Sequence, residues 1–455
     1  MPRPDPALIA LSRFGLGPRP GDPATIGDDP RGWLEAQVGG PAPADDLPGH
    51  MALHRVVFEA RGDAADDLAF QRMRQRARRF SSVEAKARMT RAARTDAPFR
   101  ERWVRFWSNH LTVSVRQPLI LHLAGAFERE VVAPRAWGGF DALLQASTRH
   151  PAMLLYLDNA HSVGPGSRMG RRRGRGLNEN LARELLELHT LGVDGGYGQA
   201  DVEALAAMLT GWTAFGGRPM GHPDLTLDHG FTFRGDLHEP GDKTLLGERV
   251  PEGGEAEATA ALSQLATHPR TARHLSEKVA RHFVADDPPP RLVADLEDTW
   301  RETGGDLGRL ARRLVTHDLA WRGPRDAKLR SPEQLMVATV RALDPSGWSR
   351  GGQGWAHRAV KAQAWLGQPT FSAPSPAGWP DTAAAWSGPE QLLRRVELAG
   401  RVGAAAGPAI RDPERWAQAV LGDRLEPALR AALRASPSRA DAVSLALASP
   451  AFQWS

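Results

Sequence analysis

The stretch from Gly176 to Gly192 constrains the fold more than any other part of the chain. Between those glycines it runs Leu177–Asn178–Glu179–Asn180–Leu181–Ala182–Arg183–Glu184–Leu185–Leu186–Glu187–Leu188–His189–Thr190–Leu191, with no β-branched run and no internal Gly or Pro. Leu, Ala, Glu and Arg dominate it, so the spacing predicts a helix that stops at Gly192. At 100° per residue Leu177, Leu181, Leu188 and Leu191 share one arc, with Leu185 at its edge. Glu184 falls in the middle of that arc. A carboxylate there is expected to be buried, and must then be paired, hydrogen-bonded, metal-bound or protonated.

Similar helical segments recur along the chain. Asp5–Pro6, Pro98 after Asp96 and Ser331–Pro332 read as helix entries, and Arg72–Arg94 lies inside one long helical region. The pattern breaks after Trp212, where Gly, Pro and His become frequent. Phe231–Thr232–Phe233 and Thr244–Leu245–Leu246 read as short strands joined by a polar turn at His238–Glu239–Pro240–Gly241–Asp242–Lys243. The expected fold is therefore mainly α: one large multi-helix domain over 1–455, with a loop and β-hairpin insertion at 213–254. No 20–50-residue repeat is visible, which argues against a solenoid.

The chain has no cysteine, so disulfides, thiolate metal sites and cysteine nucleophiles are excluded. Ala7–Leu8–Ile9–Ala10–Leu11 is too short for a signal h-region, and no stretch approaches ~18 apolar residues. The chain thus reads as soluble, and cytoplasmic by default. Nine Arg or Lys residues stand between Arg72 and Arg94 against the single Glu84, and Arg171–Arg173 and Arg175 crowd a later loop. Without a reading module these are better explained as solvated surfaces than as a specific nucleic-acid site.

Two more residues stand out chemically. His110 lies in a helical stripe with Trp103, Phe106 and Trp107, where an apolar side chain is expected. His238 and Lys243 sit on the polar turn. If the fold gathers His110, Glu184 and His238, two imidazoles and a carboxylate form a ligand set suited to zinc or iron. Without a metal the same trio could act as general acid and base, with Lys243 binding an anionic substrate and Glu187 and His189 assisting. No HExxH spacing supports the metal. In the alternative, a non-catalytic helical scaffold, Glu184 pairs with an arginine and His110 is hydrogen-bonded in the core.

Several segments resemble the bacterial family catalogued as domain of unknown function 1800. They are Arg13–Phe14–Gly15–Leu16–Gly17, Phe106–Trp107–Ser108–Asn109–His110, His150–Pro151–Ala152–Met153 and Asn178 to Glu184, with Leu188–His189–Thr190–Leu191–Gly192 after them. Thr210–Gly211–Trp212, His238 to Lys243 and Lys328–Leu329–Arg330–Ser331–Pro332 complete the series. The chain departs from the family pattern at Leu181, usually Tyr, and at Gly198, often Thr. The resemblance brings no established activity, substrate or cofactor. It implies association with an envelope pathway and with a sulfatase-like partner of the family called domain of unknown function 1501.

Overall fold

A computed structural model describes residues 5–40, 46–59, 67–173, 176–214, 230–323, 327–343 and 354–455. Helices dominate them, many opened by a proline in the first turn and a side chain that caps it. Asp5 accepts a hydrogen bond from the Ala7 amide (2.9 Å), and Ser331 forms a capping box with Gln334. Histidine does the same work before Pro151 and Pro269: His150 Nδ1 accepts from the Ala152 amide and His268 Nδ1 from the Arg270 amide, both at 3.1 Å. No helix among the described residues is long and apolar enough to cross a membrane.

Two apolar cores organise the helices. The larger runs from Ala10 to Ala320 and centres on Phe99, Trp103, Trp107, Phe140 and Phe283. Each such aromatic side chain, once buried, removes about 150–250 Å² from water, roughly 4–6 kcal/mol gross at ~25 cal/mol/Å². The smaller core joins the helices Pro332–Ala342, Pro389–Ala406 and Arg439–Ala448 to Met89, Ala92 and Ala93 at the end of the long helix Asp67–Arg94. An arginine braces the smaller core. Arg341 is fully buried, donating to the Gly17, Ala92 and Thr95 carbonyls and pairing with Asp22 at 3.0 Å.

The basic helix is only partly the solvated face its composition suggested. Arg72, Arg76, Arg78 and Arg79 are exposed, but Arg88 is buried and Arg91 nearly so. Both reach Glu128, at 2.8 Å each.

In place of the expected hairpin between Phe231–Phe233 and Thr244–Leu246 there are two separate two-stranded sheets. Strand β1 (Trp212–Ala214) pairs antiparallel with β2 (Phe231–Phe233), and β3 (Lys243–Leu245) with β4 (Glu248–Val250). The second pair turns at Leu246–Gly247, where both φ angles are positive (51° and 80°), as a two-residue type I′ turn requires. The residues 215–229 of the expected insertion lie outside the described residues.

The segment after Leu366 runs across the helix Pro98–His110 as a strap. Asn109 receives the Trp379 amide at 2.8 Å and donates to the Trp379 carbonyl at 3.0 Å. Gly378 stands there at φ +80°, where a Cβ would lie 2.4 Å from the Asn109 carbonyl oxygen. Gly378→Ala is therefore expected to destabilise the protein by about 2 kcal/mol or more, through positive φ and backbone overlap together. A loss of unfolding free energy below a few tenths of a kcal/mol in denaturant titration would show that the strap is not held this way.

Candidate metal centre

The residues singled out in the sequence lie in three different surroundings. His110 is buried at the end of its helix. Its Nε2 donates to the His189 carbonyl (3.1 Å), which leaves Nδ1 to accept from Lys278 Nζ at 3.0 Å. The ring is thus a neutral tautomer with both nitrogens engaged. Burial, then Lys278 and neighbouring His189 and His274, hold its pKa well below the ordinary histidine range. Burial likewise lowers Lys278 to about 8, against the pull of Asp381.

His238 and Lys243 close a second buried network around Glu257, which the sequence reading missed. His238 Nε2 meets Glu257 Oε1 at 3.0 Å, Lys243 Nζ meets Oε2 at 2.7 Å, and His238 Nδ1 donates to the Thr210 carbonyl at 2.9 Å. The Gly253 and Gly254 amides also donate to Oε1. Burial pushes the Glu257 carboxyl up, but Lys243, the Gly253 amide and His238 outweigh it and hold the pKa below the ordinary value. The polar turn is therefore an internal brace, packed against the loop at Gly164, where a Cβ would lie 2.6 Å from the Glu239 backbone. The signal for Glu257 was present: it is the third residue of a helix that begins after Gly253–Gly254, where a carboxylate caps free amides.

Glu184 is half-buried rather than central to the apolar face. The helix begins at Asn180 and turns π-helical over Leu185–His189. That wider turn shifts the phase, so His189 takes a buried position and Leu188 only a half-buried one. Burial first, then Glu187, raises the Glu184 pKa, with Arg183 opposing. With no hydrogen bond or ion pair to Glu184 among the described residues, Glu184→Gln is expected to change stability by no more than about 0.5 kcal/mol in thermal unfolding.

The donor atoms of His110, Glu184 and His238 do not converge. Among the described residues, the His, Asp and Glu side chains that come within 4.8 Å of one another as a set of three are His50, Glu130 and His150. His50 begins the helix His50–Glu59, His150 caps the helix Pro151–Tyr156, and Glu130 sits in a π-helical turn, Glu128–Val132. That turn sends three consecutive side chains to different places. Glu128 goes inward to Arg88, and Arg129 pairs with Glu84 at 2.7 Å and holds the Pro48 carbonyl. Glu130 receives the His50 amide at 2.8 Å and the His50 Nδ1 on its other oxygen.

His150 Nε2 stands 4.0 Å from Glu130 Oε2, buried and without a hydrogen-bond partner. The His50 and His150 rings lie 4.6 Å apart. Burial, with His50 beside it, lowers His150 to about 3 despite Glu130. Burial pushes Glu130 up, but the hydrogen bond and charge of His50 hold it below the ordinary carboxylate range. One turn beyond His50, His54 Nδ1 meets His122 Nε2 at 3.1 Å. Four histidines and one glutamate thus form a partly buried cluster, with Glu130, 30% exposed, on its solvent side. Only the His50–His54 spacing is local; Glu130 and His150 stand 80 and 100 positions after His50 and carry no ligand-spacing motif.

A further polar cleft is less suited to chemistry. It is a cavity of about 50 Å³, room for a few waters, lined by Arg102, Asn109, His282, Glu333 and Asp381 among others. His282 Nδ1 donates to Asp381 at 2.7 Å, as in a catalytic dyad, but its Nε2 faces Arg102 Nε at 3.3 Å. A guanidinium there opposes protonation of the ring and occupies the lone pair a general base needs.

No curated protein and no solved structure matches the chain. A family model described as "Protein of unknown function (DUF1800)" matches residues 9–454, and the chain belongs to that family.

Proposed function

We propose that this protein is metal-dependent, holding one divalent transition ion, zinc or iron, between His50, Glu130 and His150. The observation that supports this reading is the convergence of three ligand-type donors around the buried, unpartnered His150 Nε2. Two imidazoles and a carboxylate leave coordination positions open, as catalytic sites do. An ion there supplies Lewis-acid activation of water or substrate. The residues' own part is to hold the open face towards Glu130, the most exposed of the three.

Loading has a structural consequence. His150 Nδ1 accepts from the Ala152 amide, so the neutral ring carries its proton on Nε2. Ligation through Nε2 moves that proton to Nδ1 and ends the cap. A lost cap costs about 1 kcal/mol, small against the ~10 kcal/mol or more of binding at a strong zinc site. The ion therefore wins.

The second reading is a helical scaffold or partner protein, in an envelope-associated pathway with a sulfatase-like partner; the purely structural histidine cluster it requires has a parallel at His317. There the same arrangement, Nδ1 capping Leu319 and Nε2 on Asp295 at 2.7 Å, is a plain brace. Elemental analysis of purified protein, followed by chelation and zinc titration, decides between them. About one tightly held ion per chain supports the centre, and protein that neither retains nor takes up zinc or iron overturns it.

A further inference from the structure

We infer that His54 and His122 hold a second ion beside the His50–Glu130–His150 centre, so that the cluster is a two-ion site for a borderline cation such as zinc. The inference rests on the reading of the first centre, whose helix also carries His54; two histidines alone make a weak site, so the second ion is the more weakly held.

His54 follows His50 by four residues on the same helix, so the two imidazoles share a face about 6 Å apart along the axis. His122 comes from a separate segment to meet it. The Nδ1 of His54 and Nε2 of His122 stand 3.1 Å apart, with the rings stacked at 5.4 Å and 23°. Two nitrogens each about 2.1 Å from one ion, at angles of 90–109°, are about 3.0–3.4 Å apart. The pair already stands at ligating separation.

The same separation serves an N–H···N hydrogen bond, which an ion replaces by moving one proton to the other nitrogen of the same ring, with no net charge change. An apolar cluster stands on the same segments: Val57, on the helix of His54, is buried with Met73 and Ala77, and Phe80 and Leu121, the residue before His122, pack against it. Imidazole ligands favour zinc, copper or nickel over magnesium or calcium.

The test is titration of the full chain with Zn(II) by calorimetry and with Co(II) by visible absorption, alongside His54→Ala/His122→Ala and His50→Ala/Glu130→Gln. Two ions per wild-type chain, the second bound at least tenfold more weakly and lost in the His54/His122 variant, is the expected result. One ion, unaffected by the His54/His122 change, overturns this inference and leaves the first centre standing. One ion that survives His50→Ala/Glu130→Gln but not His54→Ala/His122→Ala overturns the first centre instead, and no ion overturns both. Should the His54/His122 variant fail to fold, wild-type cobalt decides: a second absorption band appearing after one equivalent supports the second position, and a single saturating band overturns it.

Discussion

Glu128→Ala is expected to destabilise the protein by about 3–5 kcal/mol. Glu128 is 2% exposed and sits among Arg88 (2.8 Å), Arg91 (2.8 Å) and the Ser108 hydroxyl (2.7 Å). Those arginines belong to a wider alternation. Arg91 and Arg105 also reach Glu101, and Arg88 and Arg105 share Glu333 at the start of the helix Pro332–Ala342. Three arginines face three glutamates. Removing Glu128 leaves charge in the interior without its counterpart, and that uncompensated charge, rather than the lost attraction, sets the size of the effect. The double change Glu128→Ala/Arg88→Met should accordingly recover part of the loss, as a coupling measured in a double-mutant cycle. Strict additivity would show that the network is not coupled.

The same carboxylate gives the pH dependence a sign. Burial pushes Glu128 up, but Arg88, Arg91 and Arg105 outweigh it and hold its pKa at about 2, below the ordinary 4.5. A depressed folded pKa means stability that is fully present above the unfolded value and lost as pH falls. The shift corresponds to about 3 kcal/mol at 1.36 kcal/mol per unit. Urea unfolding should therefore show wild-type stability falling between about pH 4.5 and pH 2. In Glu128→Ala that part of the slope disappears, and an unchanged slope would place the titration elsewhere.

How much of this could be read in the sequence depends on the range of the physics involved. The helices were legible because caps, proline entries and apolar spacing are local, and so was the unusual character of His110, which is buried as its aromatic stripe implied. Glu184 was misplaced by one structural event, the π turn at Leu185–His189, which no 100° wheel represents. The strand Phe231–Phe233 was recognised but given the wrong partner. Its pairing with Trp212–Ala214 is helped by Asn159, far away in sequence, which donates to the Leu209 and Trp212 carbonyls. The His50–Glu130–His150 cluster was not legible at all. Its members come from a helix start, a π turn and a helix cap, and His150 stood in the sequence as the residue before a proline, in one of the segments of the family resemblance, with no ligand role attached. Its role as a cap was in the sequence; the carboxylate opposite it was not.

That double role of His150 yields the most informative metal prediction. His150→Asn retains a good N-cap for the helix Pro151–Tyr156 but lacks an imidazole nitrogen, whereas His150→Ala loses both functions. In chelator the two variants should differ by about 1 kcal/mol, with Asn close to wild type. With zinc at a hundred times its dissociation constant, wild type should gain about 2.7 kcal/mol by mass action. Both variants should gain far less, because each lacks one of three protein ligands. Glu130→Gln should behave like His150→Asn: its amide oxygen can still receive the His50 amide, so folding without metal is nearly preserved while the zinc-dependent gain is lost. Thermal unfolding of the four proteins, each with chelator and with zinc, separates capping from ligation. A zinc-dependent gain that persists undiminished in His150→Asn and Glu130→Gln would place the tighter ion elsewhere. Equal behaviour of the Asn and Ala variants in chelator would remove the cap from the argument, and with it the competition that governs loading.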